Sequence, residues 1–187
     1  MTKQELRKLF NKKRTVIDPS ALPGLQQQIF HYFKTITLPS FSMVMSYAAM
    51  LDRNEFDIHI IERYLQDIQP ATRFCWPKIR EGYEMDAMAS FNNDQILNQY
   101  GIREPANGVL VNPFEIDIVM IPLLAFDQLG YRVGYGKGYY DRFLSKCRKD
   151  VMKIGFSFFE AEPVIKDINN YDVPLNYCIT PLRVYEF

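Results

Sequence analysis

Ile116-Asp117-Ile118-Val119-Met120-Ile121 is the strongest buried-strand candidate in the chain, and its reading decides the fold. A short apolar run rich in β-branched residues and closed by Pro122 suits a strand covered on both faces. Such strands belong to parallel sheets, whose crossover helices supply the cover above and below. Helical patterns and further strand candidates alternate on either side of this run.

Upstream, Thr2 and Glu5 form a T-x-x-E capping box, and Leu6, Leu9, Phe10 and Ile17 then recur at helical spacing until Asp18-Pro19-Ser20. Leu25, Ile29, Phe33 and Ile36 give a second helix its apolar face, with Pro39 closing it. Residues 41–47 read as a buried strand and 58–68 as a helix with Ile61 and Leu65 inward. Residues 73–76 read as a strand ending at Pro77. After a turn at Glu81-Gly82, residues 84–91 form a strand pairing nearby, and 92–113 form a long polar loop with short extended pieces. Downstream, 139–148 reads as a helix and 152–158 as a strand. The tail holds two short extended pieces, 177–180 and 183–185. No repeat, low-complexity segment or linker divides the chain. The expected fold is a single-domain α/β three-layer sandwich over residues 1–187, with a largely parallel, Rossmann-like sheet and helices on both faces.

Composition narrows the function. A chain of 187 residues that is 48% hydrophobic can build its own core without disulfides or metal staples. Lys plus Arg and Asp plus Glu both number 22, whereas a nucleic-acid binder usually carries a basic excess. Cys75, Cys147 and Cys178 are odd in number and widely spaced, and the histidines are His31 and His59, so reduced core thiols are expected rather than a zinc site. The greasiest run, 116–126, is broken by Asp117 and Pro122 and falls short of the roughly 20 residues a membrane span needs. A cytoplasmic monomer acting on small molecules is expected, without nucleic-acid or membrane partners.

The densest chemistry lies in Arg132-Val133-Gly134-Tyr135-Gly136-Lys137-Gly138-Tyr139-Tyr140-Asp141. Alternate glycines let a backbone bend and approach a ligand closely, and its exposed N–H groups can form an anion nest. A helix starting near Tyr139 would aim its own unpaired N–H donors at the same place. Arg132 and Lys137 add formal charge. The spacing matches neither the P-loop nor the dinucleotide fingerprint, so a tight loop using glycines only for turning stays open as the plainer reading. Asp141 suits a first helical turn through the helix dipole alone, or could serve Mg²⁺ beside a bound phosphate. Pro122 and Phe126-Asp127 follow the buried strand, near the carboxyl end where open α/β sheets bind ligands.

The stretch Ile118-Val119-Met120-Ile121-Pro122-Leu123-Leu124-Ala125-Phe126-Asp127, then Gly130-Tyr131-Arg132 through Asp141, resembles the signature of the 5-formyltetrahydrofolate cyclo-ligase family, also called 5,10-methenyltetrahydrofolate synthetases. That signature runs P-x-L-A-F-D-x-x-G-x-R-L-G-x-G-x-G-Y-Y-D. Lys3-Gln4-Glu5-Leu6-Arg7 is similar to the family's N-terminal K-x-x-L-R, and residues 1–14 hold six basic side chains against one acid. Trp76-Pro77-Lys78, Tyr100-Gly101-Ile102-Arg103-Glu104-Pro105 and Tyr171-Asp172-Val173-Pro174-Leu175-Asn176 resemble further family elements in the expected order. Tyr171, Asn176 and Lys78 depart from the family's His, Asp and Arg.

The resemblance implies ATP-dependent closure of 5-formyltetrahydrofolate to 5,10-methenyltetrahydrofolate, with Mg²⁺ as cofactor and ATP as co-substrate. It implies Arg132 and Lys137 as catalytic residues. ATP would be bound by Lys3, Gln4, Glu5, Leu6 and Arg7 and by Arg132, Val133, Gly134, Tyr135, Gly136, Lys137, Gly138, Tyr139 and Tyr140. It implies that Met50, Glu55, Tyr135, Gly136, Lys137, Gly138 and Tyr139 bind the folate, and that Asp141 and Asp172 hold the metal. A basic rim at Lys78 and Arg103 would suit a glutamate tail. The alternatives are a related α/β enzyme acting on a sugar phosphate or thioester, and a non-catalytic nucleotide, folate or single-strand RNA binder.

Overall fold

The computed structural model describes residues 1–90 and 95–187. In chain order the elements are α1 (Lys3–Thr15), α2 (Leu22–Phe33), β1 (Met43–Met45), α3 (His59–Ile68), β2 (Arg73–Ile79), β3 (Met85–Ala89), β4 (Gln95–Leu97), β5 (Arg103–Pro105), β6 (Val109–Val111), β7 (Ile118–Pro122), β8 (Ala125–Phe126), β9 (Arg132–Val133), α4 (Tyr139–Leu144), β10 (Met152–Phe156), β11 (Tyr177–Ile179) and β12 (Val184–Glu186).

Eight strands form one sheet in the order β12-β11-β10-β7-β1-β2-β3-β6. The five from β11 to β2 are mutually parallel; β12 at one edge and β3 near the other run against them, and the edge strand β6, antiparallel to β3, runs with them. The buried run supplies β7 at the centre, with Val44↔Ile118 on one side and Ile154↔Met120 on the other.

Alternation along the central strands explains the layers. Ile118 and Met120 of β7 and Val44 of β1 share a core with Ile29 and Phe33 of α2 and Ile61 and Leu65 of α3. Val119, Ile121, Met43 and Met45 point the other way, into a core closed by Phe143 and Leu144 of α4. Each such side chain, when fully buried, contributes about 1.5–3 kcal/mol. Cys75 and Cys178 lie fully inside and Cys147 nearly so. Burial pushes the Cys75 thiol up to about 12 and the Cys147 thiol up to about 11, so both stay protonated core side chains.

Helix α1 starts on the capping box read from sequence: Thr2 and Glu5 satisfy each other's backbone N–H groups. Its inner face, Leu6 and Phe10, packs on Leu124, Ala125 and Val133 of the β8–β9 hairpin, outside the main sheet. That hairpin corrects the reading of Phe126 and Asp127 as crevice residues. Phe126 is fully buried, and the Asp127 carboxylate is spent inside, accepting from the N–H groups of Leu129, Tyr131 and Ile165.

Other boundaries also shift. The strand expected to end at Pro77 continues to Ile79, because β2 is bordered there by antiparallel β3, with Pro77↔Ala87 and Ile79↔Met85 in register. The helix expected over 139–148 stops after Leu144, and its shortness leaves it little dipole. The polar stretch contains three strands: β4 and β5 pair as a hairpin, and β6 joins the sheet edge. The end of the expected 84–91 strand and the start of that loop, residues 91–94, lie outside the described residues.

Candidate active site

The chain leaves β1 toward β2 on one side of the sheet, and leaves β7 toward β10 and β11 on the other. The gap between β1 and β7 is therefore a topological switch point, where open α/β sheets place their ligands. A cleft of about 1110 Å³ opens there, lined by Tyr47, Ala48 and Met50 after β1, by Pro77 and Ile79 of β2, and by Pro122 at the end of β7. The glycine-rich loop from Gly134 to Gly138 forms another wall, and Asn169 to Val173 a further one.

Two loop glycines are required by conformation. Gly136 has φ +92°, and a Cβ there would come within 3.0 Å of the Arg7 guanidinium. Gly138, φ +68°, is the left-handed residue at the start of α4, and no side chain caps that helix. Arg7 crosses the loop and donates from Nε to the Gly134 carbonyl at 2.9 Å. Lys137 is exposed at the mouth, with its ammonium 5.4 Å from the centre of the Tyr83 ring.

Beneath the loop, Arg132 is almost fully buried. Its Nη2 donates to Asp141 Oδ1 at 2.8 Å, and Nη1 donates to the Val173 carbonyl. Burial lowers the guanidinium's pKa, while Asp141 opposes the shift and favours the charge. Val173 N–H also donates to Asp141 Oδ1, at 3.2 Å, which brings the neighbouring Asp172 to the same wall. Asp172 is gripped by Lys3, whose Nζ lies 2.5 and 2.6 Å from its two oxygens.

At the opposite end, Met50 and Glu55 flank a short turn after β1. Glu55 is buried, and its Oε2 accepts the Met50 N–H at 2.8 Å. Its Oε1 accepts from the Tyr135 hydroxyl at 2.5 Å and lies 3.6 Å from Arg14 Nη1. Tyr139 and Tyr100 line the side between the two ends, with their hydroxyls 3.3 Å apart, and the Tyr83 ring lies 6.2 Å from that of Tyr139. Burial and that bond push the Tyr139 hydroxyl up to about 12, so it is a neutral donor at physiological pH.

The cleft lining therefore gathers Lys3, Arg7, Met50, Glu55, Arg132, Gly134 to Asp141, and Asp172 from the residues singled out in the sequence. Helical periodicity divides the N-terminal group: Lys3 and Arg7 face the cleft, Leu6 enters the core beneath, Glu5 caps the helix and Gln4 is exposed. Val133 is buried under the loop. Tyr171 is 85% exposed, and Asn176 holds the Lys153 N–H. Lys78 is turned onto the Pro105 and Ala106 carbonyls, which corrects its reading as part of an open basic rim. Arg14 was missed. Its spacing from Lys3 and Arg7 returns to the same helix face, and that was the available signal.

Among the described residues no group of three or more His, Cys, Asp or Glu is placed to hold a metal unaided. Asp141 and Asp172 still fit Mg²⁺, which characteristically takes one or two carboxylates and completes its shell with phosphate oxygens and water. No helix among the described residues is long and apolar enough to cross a membrane.

Fold and cleft together define a mixed α/β enzyme of the doubly wound type, with its ligand site at the carboxyl ends of the central parallel strands. Comparison with known proteins narrows the class. The sequence model of the 5-formyltetrahydrofolate cyclo-ligase family matches residues 1–181. The 5-formyltetrahydrofolate cyclo-ligase of Mycoplasma genitalium is 29% identical over 180 residues, covering 94% of this chain and 97% of that protein. The solved structure of the Aquifex aeolicus 5,10-methenyltetrahydrofolate synthetase superposes with a TM-score of 0.77 at 29% identity, covering 100% of this chain and 93% of the other. The Mycoplasma pneumoniae 5,10-methenyltetrahydrofolate synthetase gives 0.75 at 25% identity, covering 97% and 99%. The chain belongs to the 5-formyltetrahydrofolate cyclo-ligase family, and is thus a ligase of folate one-carbon metabolism.

Proposed function

We propose that residues 1–187 act as one domain that closes 5-formyltetrahydrofolate to 5,10-methenyltetrahydrofolate, consuming ATP and releasing ADP and phosphate. The observation that carries this reading is a single cleft with a glycine-rich cationic loop at one end and a buried carboxylate, Glu55, at the other. The loop suits a polyphosphate. Glu55 suits the paired N–H donors of a pterin.

A formamide oxygen is a poor leaving group. In the proposed sequence it attacks the γ-phosphorus of ATP as the bond to the ADP oxygen breaks. N10 of the folate then attacks the activated carbon and gives up its proton, and the carbon–oxygen bond breaks so that phosphate leaves with the former formyl oxygen. Phosphoryl transfer of this kind asks mainly for positioning and charge neutralisation. Arg7, Arg132 and Lys137 supply positive charge, the loop backbone supplies N–H donors, and the Tyr139 ring offers an apolar face for the folate. Asp141 and Asp172 would hold Mg²⁺, which when bound would offset charge on the phosphates. For that, Lys3 and Arg132 must share or release the carboxylates they grip, and a polyphosphate gives both cations another anion to meet.

The test is the near-ultraviolet absorbance of the methenyl product, followed with purified protein, 5-formyltetrahydrofolate, ATP and Mg²⁺. The expected outcome is a rise that needs all three. A flat trace from folded protein that still binds ATP would sink the folate reading and leave the sugar-phosphate or thioester alternative.

A further inference from the structure

One buried polar chain joins the two ends of the cleft. Arg14, in the last turn of α1, donates from Nη2 to the Tyr135 hydroxyl, and that hydroxyl donates to Glu55 Oε1 at 2.5 Å. Arg14 Nη1 stands 3.6 Å from the same carboxylate oxygen, with the Arg14 and Glu55 side chains only 7% and 4% exposed. The Arg14 carbonyl also accepts from Asn54 Nδ2 at 2.9 Å, and Asn54 is the left-handed residue, φ 51°, that ends the turn before Glu55. Helix α1 thus grips the Glu55 turn by side chain and by backbone, and Tyr135 belongs to the glycine loop between Gly134 and Gly136.

We propose that Arg14 and Tyr135 are positioning residues that brace the glycine loop against Glu55, so that nucleotide on the loop and folate at Glu55 bind with positive cooperativity. The inference rests on the functional reading above. Its physical basis is that the three groups are satisfied only together. Tyr135 cannot follow a movement of the loop without withdrawing its hydroxyl from Glu55, and that would leave a buried carboxylate and guanidinium with a bond missing on each. Buried charges tolerate this poorly, so the brace is made or broken as a unit. Gly136, at φ +92°, gives the loop a backbone position with no side chain to restrict it. A nucleotide that fixes the loop then also fixes Glu55, and folate meets a carboxylate already in place. By linkage, folate must favour nucleotide by the same factor.

The experiment is calorimetric titration of 5-formyltetrahydrofolate with and without saturating non-hydrolysable ATP analogue and Mg²⁺, in wild type, Tyr135→Phe and Arg14→Lys. In wild type the analogue is expected to tighten folate binding by about 5-fold or more, the lower end of ordinary coupling. Tyr135→Phe keeps the ring and the loop backbone but removes the hydroxyl link, so the ratio of folate affinities with and without analogue should collapse toward one, whatever the variant does to either affinity alone. Arg14→Lys keeps the charge without the two-pronged fork and is expected to fall between. An undiminished coupling factor in Tyr135→Phe, or wild-type binding indifferent to the analogue, overturns the brace. Wild type that binds the analogue but never 5-formyltetrahydrofolate overturns the functional reading instead.

Discussion

Two aspartate–arginine pairs in this chain have the same contact and opposite surroundings. Asp117 Oδ1 meets Arg148 Nη2 at 2.8 Å, and Asp141 Oδ1 meets Arg132 Nη2 at 2.8 Å. Asp117 stands just before β7, at the end of the sheet away from the cleft, and its second oxygen accepts from the Ser42 and Met43 N–H groups at 2.6 and 2.9 Å. The carboxylate is saturated, tying the starts of β1 and β7 together. Asp141 lines the cleft, and among the described residues both of its protein contacts fall on Oδ1. The difference teaches that contact distance does not separate scaffold from site. What separates them is whether the partner atoms leave any capacity for a ligand.

Isosteric amides test that contrast with the largest expected effects. Asp117→Asn places an NH₂ group where one oxygen was, and either orientation sets it against a donor, Arg148 on one side or the Ser42 and Met43 N–H groups on the other. A loss of about 2–3 kcal/mol in urea denaturation is expected, with turnover per folded molecule unchanged. Asp141→Asn can keep its oxygen toward Arg132 and Val173 and turn its NH₂ to the open side. It should lose less stability, while methenyl formation falls on the order of 100-fold or more and needs higher Mg²⁺. If the two variants exchanged these behaviours, the contrast would be broken.

A smaller effect separates charge from shape at Asp117. Burial alone would raise this carboxyl, but the Ser42 and Met43 N–H bonds and Arg148 outweigh it and hold the group below its ordinary value. A carboxyl depressed in the folded state contributes its full stability above the unfolded value, about 3.9. The contribution is lost as pH falls through the folded value. The stability gap between wild type and Asp117→Asn is therefore expected to stay level from about pH 7 to 5 and to narrow below about pH 4. A gap that persists unchanged into strong acid would mean that packing, not ionisation, distinguishes the two.

The same contrast marks what the sequence could tell. The central strand, the capping box at Thr2 and Glu5 and the glycine loop are local patterns, written in consecutive residues, and each appears where it was expected. The β8–β9 hairpin was hidden because two-residue strands leave no periodicity to read. Lys78 reads as an available cation until folding turns it onto carbonyls 27 and 28 residues away. Arg14 reads as one more charge in a basic helix, and its contact with Tyr135 spans 121 residues. Buried polar contacts of that range are set by the packing of α1 on the hairpin, which no local pattern announces.

The smallest expected effect sharpens the contrast between Tyr135 in the glycine loop and Tyr140 in the first turn of α4 that follows it. Tyr135 has both a donor and an acceptor on its hydroxyl, whereas the buried hydroxyl of Tyr140 has no partner among the described residues. Burial, reinforced by the nearby Glu55 charge, raises the Tyr140 pKa, so the group stays a neutral donor. An unpaired buried hydroxyl costs stability, and Phe fills the same space without it, so Tyr140→Phe should be neutral or stabilising by up to about 1 kcal/mol. Other atoms of Tyr140 line the cleft, but its hydroxyl oxygen is buried beneath the surface, out of direct reach of a substrate in this conformation. Turnover is therefore expected to stay within about 3-fold as stability holds or rises. Lost stability in Tyr140→Phe would instead reveal a partner in the free protein, such as a buried water, and would place Tyr140 with Asp117 among the saturated groups.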